Sequence, residues 1–261
     1  MYTRQILNAL CSGPSFLVDV PEADVFDRSG LEVPDSGSPL DLDQKLGYIY
    51  EDGLRKLLDA TERYEVLEHG LQIQRDRHQT IGELDFLFRD TSSPDLIHLE
   101  LAVKFYLAID SAEGLLLPGP NSRDNYYNKL ERLRSHQLTL AKRFPELLPP
   151  QYQKEVIHTQ HLVIGCLFDH IDTHSLAEPP YIHPNARRGI WLCQSEFQAY
   201  FPHCTTPLVI PKPLWAVDVS VIADSQLTPF DLEAPLTRCT MLKVANEDKA
   251  VFITPDNYPE Q

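Results

Sequence analysis

The sequence predicts an α/β fold built on a mixed sheet, and three observations predict it. Residues 81–107 read as two adjacent antiparallel strands, a helix precedes them, and a second helix with a short apolar strand follows.

The strands are the clearest element. In IGELDFLFRD a period of two puts Glu83 and Asp85 on one face and Leu84, Phe86 and Phe88 on the other. LIHLELAVKFYL repeats the division: Ile97, Leu99, Leu101, Val103, Phe105 and Leu107 face one way, and His98, Glu100, Ala102, Lys104 and Tyr106 the other. The connection TSSPD is short and turn-forming, so the strands are expected to pair, with Asp85, Glu100 and Lys104 presented together. Carboxylates gathered this way repel one another and call for a cation. Lys104 alone does not neutralise Glu83, Asp85 and Glu100; a hard divalent ion would.

Before these strands, Leu46, Tyr50, Leu54, Leu57 and Leu58 recur at helical spacing and predict a helix over residues 42–59. Glu51 stands at the margin of its apolar stripe. By helix spacing alone, Glu51 reads as an exposed charge paired with Arg55, and the other reading is a carboxylate directed along the sheet. Residues 64–75 alternate as a strand, with a bulge or bend at Gly70. Residues 108–125 are rich in Gly and Pro and read as a loop, residues 126–144 as one helix, and residues 161–168 as a strand buried on both faces.

The ends are less regular. Residues 2–11 read as a short helix, followed by an extended wrap to about Pro39. Toward the C-terminus, strands are expected at 190–193, 214–222 and 241–253, with a helix starting at Ser195. The division expected is an acidic N-terminal wrap (1–41), a core (42–168) and an α/β extension packed on that core (169–261).

Composition narrows the function classes. The 261 residues carry a net charge of −15, which argues against nonspecific coating of nucleic acid. Residues 1–52 hold ten acids against three bases, whereas Lys129, Arg132, Arg134, Lys142 and Arg143 face only Glu131. Arg132, Arg134, Lys142 and Arg143 are therefore candidates for contact with a phosphate backbone, with a solvated helix face as the plain alternative. No run is long enough to span a membrane and the opening is too short in apolar residues for a signal peptide, so a cytoplasmic protein without a membrane partner is expected. Five cysteines without CxxC spacing indicate neither a disulfide framework nor a structural zinc knot. His158, His161, His170 and His174 offer a competing zinc chemistry, at spacings that fit no strong ligand motif.

GELDFLF and HLELAVK, after a helix bearing Glu51 and before a helix and a buried strand, resemble the PD-(D/E)XK nuclease superfamily. The early TRQILNALCSGPSFL, the LGYIYEDGL helix, the GPNSRDN loop and HQL resemble more narrowly the bacterial domain-of-unknown-function family 1853. The wider resemblance implies a restriction-endonuclease-like αβββαβ core and Mg2+- or Mn2+-dependent hydrolysis of nucleic acid. It casts Asp85, Glu100 and Glu51 as metal ligands, Lys104 as the lysine that works with them, and Glu83 and Gln137 as auxiliaries. The usual lysine stands two residues past the acid, where this chain has Ala102. The rival reading is a noncatalytic module of the same fold that binds nucleic acid or a protein partner.

Overall fold

In the computed structural model, which describes residues 2–173 and 178–260, the chain divides into two units. One is made of the chain up to Val103 with Leu130–Ile164, the other of Lys104–Lys129 with the chain from Gly165 onward. The division falls inside the strands Leu96–Ser111 and Ile157–His170 and the helix Tyr126–Arg132.

The first unit begins with a helix, α1 (Thr3–Ser12), that buries Ile6, Leu7, Ala9 and Leu10. The chain beyond it is irregular and is tied to the sheet. The amides of Phe16 and Phe26 donate to the carbonyls of Val163 and His161, and the two-residue strand β1 (Asp24–Val25) pairs in parallel with Ile157–His170. Its spaced apolar residues Phe16, Leu17, Val20 and Phe26 are buried. The next helix, α2 (Leu46–Asp59), starts four residues later than its periodicity suggests. Asp41 is the reason: its Oδ1 accepts the Asp43 amide at 3.0 Å, a local bond that competes with helix. Helices α1 and α2 pack together, and Gly53 permits it, because a Cβ there would stand 2.8 Å from Leu10 Cδ1.

Two long strands follow, β2 (Tyr64–Asp76) and β3 (Gln79–Asp90), joined as an antiparallel hairpin. A register shift lies between Val66 and Glu68, and Gly70 takes a left-handed φ of 67°. Strand β4 (Leu96–Ser111) pairs antiparallel with β3 from Phe86↔Leu99 to Arg89↔Leu96, as the alternation predicts. The expected helix over 126–144 is instead broken into Tyr126–Arg132, a π-helical turn Leu133–Gln137 and Leu140–Arg143. Leu140 and Ala141 close a core with Ile73, Leu84 and Leu148. The elements form a sheet that mixes parallel and antiparallel pairs, with the short strand Gly114–Leu116 between β4 and the broken helix.

In the second unit, the passage expected to be a loop begins as strand: β4 continues to Ser111 and returns through Gly114–Leu116, and only the rest, to Asn125, is irregular. The strand Arg187–Cys193 runs parallel to Ala250–Thr254, which pairs antiparallel with Thr240–Lys243. Leu192, Phe197, Leu242, Val251 and Ile253 form its core. No strand forms over 214–222; Pro211 caps and Pro213 lies within a short 3-10 turn at Lys212–Leu214, and a second such turn follows at Val219–Val221. Gly165 is required by close approach, since a Cβ there would fall 1.8 Å from the Lys104 carbonyl oxygen. All five cysteines are free thiols. Among the described residues no helix is long and apolar enough to cross a membrane.

His161 is fully buried, and neither ring nitrogen has a hydrogen-bond partner among the described residues. Burial pushes its pKa down to about 4 from 6.5, with Asp24 opposing the shift. Between those values the unfolded chain binds a proton that the folded chain refuses, so this residue removes stability as pH falls from 6.5 toward 4. His161→Leu is expected to gain on the parent over that window, by up to about 3 kcal/mol, in urea midpoints measured at successive pH values. Parallel curves for the two proteins would refute this.

Candidate active site

The site forms where β3 and β4 part. Their ladder ends at Phe86↔Leu99, so the next residues in register, Asp85 and Glu100, face each other just past the last backbone pair. Asp85 takes over the bonding there: its Oδ2 accepts the Leu101 amide at 2.8 Å. Glu100 is 2% exposed, and both of its oxygens are engaged, Oε1 with His98 Nε2 at 2.7 Å and Oε2 with the Gln137 side-chain amide at 2.9 Å. His98 is itself wholly buried, two residues before Glu100 and on the same face of the strand. It holds the carboxylate in one orientation.

Burial raises the Asp85 carboxyl well above the usual carboxylate range, the Glu100 charge raises it further, and the Leu101 amide offsets only part of this. Glu51 joins the same field from α2. Its pKa is pushed up to about 7 by burial first, and then by Glu83, Asp52 and Glu100. The helix-spaced partner is not used: Arg55 bonds Asp59 at 2.7 Å, and Glu51 lies 3.8 Å from His69 Nε2. His69 stacks flat on Phe86, at 4.6 Å between centroids and 15° between planes. At the margin, Glu83 accepts a hydrogen bond from the Gln72 side chain across the hairpin.

Gln137 reaches the site because of the π-helical turn. The Leu138 amide bonds the Leu133 carbonyl, five residues back, and the extra residue per turn rotates His136 and Gln137 toward the strands. His136 Nε2 donates to the Ile81 carbonyl at 3.0 Å, beside Gly82, where any Cβ would stand 2.8 Å from Leu140 Cδ2.

Lys104 is half-buried and belongs to the second unit. Among the basic candidates, Arg134 is held in a two-pronged ion pair with Glu22, at 2.8 and 2.7 Å, which removes it as a free phosphate contact. Arg143 donates to the Ser135 carbonyl, while Arg132 and Lys142 are exposed. Of the histidines, His158 faces Asp95, His170 faces Glu196, His161 is buried, and His174 lies outside the described residues. His98 and His69 were not singled out in the sequence. His98 shares the parity of Glu100, which was the available signal; the nearness of His69 depends on hairpin register.

Among the described residues, no group of three or more His, Cys, Asp or Glu side chains is arranged to hold a metal ion. The donor chemistry nevertheless fits a hard divalent cation. Asp85 and Glu100 are both oxygen donors, Asp85 in surroundings that disfavour its charge and Glu100 almost wholly buried, and Mg2+ commonly binds through one or two carboxylates with water and phosphate completing its shell.

A family model described as Domain of unknown function (DUF1853) matches residues 29–250, most of the chain. No curated protein and no solved structure matches.

The raised Glu51 pKa has a consequence of opposite sign to that of His161. In metal-free protein the folded chain keeps a proton that the unfolded chain releases between pH 4.5 and about 7, so stability falls as pH rises through that window. Glu51→Gln is expected to match the parent near pH 4.5 and exceed it by up to about 3 kcal/mol at pH 7 or above. Urea unfolding in EDTA at both pH values checks this, and a constant difference between variant and parent would refute it.

Proposed function

We propose that this chain, which belongs to the DUF1853 family of domains of unknown function, hydrolyses phosphodiester bonds in nucleic acid with the help of Mg2+ or Mn2+. The observation that carries the reading is the pairing of Asp85 with the buried, doubly hydrogen-bonded Glu100 where two strands diverge, with Glu51 raised to about 7 beside them. Such perturbed carboxylates cluster at functional sites, because a folded protein rarely keeps them without a use for the charge. The resemblance of GELDFLF and HLELAVK to the PD-(D/E)XK superfamily supports the same assignment.

Asp85 and Glu100 would hold the metal. A bound divalent ion would supply charge neutralisation at the phosphate and acidify a water. The protein's own part is orientation and proton handling. His98 and Gln137 fix the Glu100 carboxylate, the Leu101 amide fixes Asp85, and Glu51 accepts a proton from the attacking water. The bond from water oxygen to phosphorus forms as the phosphorus–oxygen bond to the leaving sugar breaks. Lys104, cast by the resemblance as the lysine of the site, has no part in this scheme.

A second reading, a noncatalytic binding module, is favoured by one observation: both Glu100 oxygens are already bonded within the protein. Mn2+ or Mg2+ is expected to raise the melting temperature of the parent by mass action. Asp85→Asn is expected to abolish that rise and to reduce cleavage by about 100-fold or more. Cleavage is read on single-stranded, double-stranded and branched DNA and on RNA. A parent that cuts none of these substrates would transfer the assignment to the binding module, and an equal melting response in parent and variant would remove Asp85 as a ligand.

A further inference from the structure

The hairpin of β2 and β3 outruns its packing. Ile73 and Leu84 are its last core residues, and Gly82 abuts Leu140, but residues 74–80 are exposed without exception. From Ile73 to the turn is four residues, a projection of about 13 Å at about 3.4 Å per residue. His136 braces the base of this arm through the Ile81 carbonyl.

Its chemistry stands out against a chain of net charge −15. Residues 74–80 are Gln, Arg, Asp, Arg, His, Gln and Thr. The single acid is committed to the turn, where Asp76 Oδ1 accepts the His78 amide at 2.8 Å. The register passes from Gln74↔Thr80 to Asp76↔Gln79, which leaves Arg75 as an extra, bulged residue. A bulge of this kind increases twist and re-aims its side chain. Arg75, Arg77 and His78 therefore crown a bare two-stranded ribbon with donors in water.

We propose that this ribbon enters the major groove of double-stranded B-form DNA, with Arg75 and Arg77 as its principal contacts, so that duplex DNA is the substrate of the site carried on the same strand. The proposal deepens the nuclease reading and rests on it for the word substrate. Dimensions select the ligand. The major groove of B-DNA, about 12 Å wide and 8.5 Å deep, admits a two-stranded ribbon, and the arm is longer than the groove is deep. The deep, narrow major groove of A-form RNA does not admit side chains in this way, and a single strand has no groove. Arginine is the residue suited to guanine edges and phosphates.

The test compares the parent with Arg75→Ala/Arg77→Ala by fluorescence anisotropy, using a 30-base-pair DNA duplex, the same sequence as double-stranded RNA, and one DNA strand, in EDTA at several salt concentrations. The parent is expected to favour the DNA duplex. The double variant is expected to lose about 10-fold or more of that affinity at about 100 mM salt, and about one unit of salt slope for each arginine that contacts a phosphate, with an unchanged melting temperature. Unchanged duplex affinity in a folded variant, a preference for RNA or single strands, or no binding by the parent overturns the proposal. Cleavage with Mn2+ is read separately. Duplex cleavage by the parent that survives the double substitution at the same KM leaves the nuclease reading standing and removes the ribbon. Arginine-dependent duplex binding without cleavage supports the ribbon and removes the nuclease reading.

Discussion

The first unit depends on a controlled failure of pairing. Strands β3 and β4 stop exchanging backbone bonds after Phe86↔Leu99, and the group that takes the next amide is a side chain, Asp85. That substitution places a carboxylate inside the sheet's own hydrogen-bond scheme, opposite a second carboxylate that is 2% exposed. Two such charges out of water oppose folding unless protons, donors or a cation compensate them. Neighbouring elements meet that demand in part: a histidine on the same strand, a glutamine from a π-helical turn, and a main-chain amide.

The scaffold around the site is arranged to supply those donors. A regular α-helix would carry Gln137 past the strands; the π turn corrects its phase, and Leu140 then seats against Gly82, where a larger residue would hold the helix away. Helix α2 delivers Glu51 by a different route, through the close α1–α2 approach at Gly53, which seats the face carrying Tyr50 and Leu54 in the core and leaves Glu51 half-buried at its edge. Rigid support beneath and incomplete charge compensation above is the arrangement expected where a protein keeps stability in reserve for function.

The unit also holds titratable groups that pull in opposite directions. His161 is buried neutral and disfavours acid, whereas Glu51 retains a proton and disfavours alkali. The two are far apart in role. His161 lies on a strand that receives the amide of Phe26, inside an apolar layer, and its ring nitrogens have no partner among the described residues. Glu51 belongs to the carboxylate field.

Alternation by itself determined the two central strands, their antiparallel pairing, and the shared face of Asp85, Glu100 and His98, because a period of two is a local property that burial then preserves. The α/β class with a mixed sheet, and membership of DUF1853, were legible for the same reason: long periodic segments and contiguous motifs survive without tertiary context. Only the tertiary structure decided where helices start and break. Asp41 outcompeted the first turn of α2, and the phase of Gln137 came from a π turn that no periodicity marks. Tertiary packing likewise converted Glu51 from a surface charge into a half-buried one and tied Arg134 to the distant Glu22. Each of these depends on which non-local surfaces meet, and a sequence pattern records which face a residue occupies without recording what covers that face.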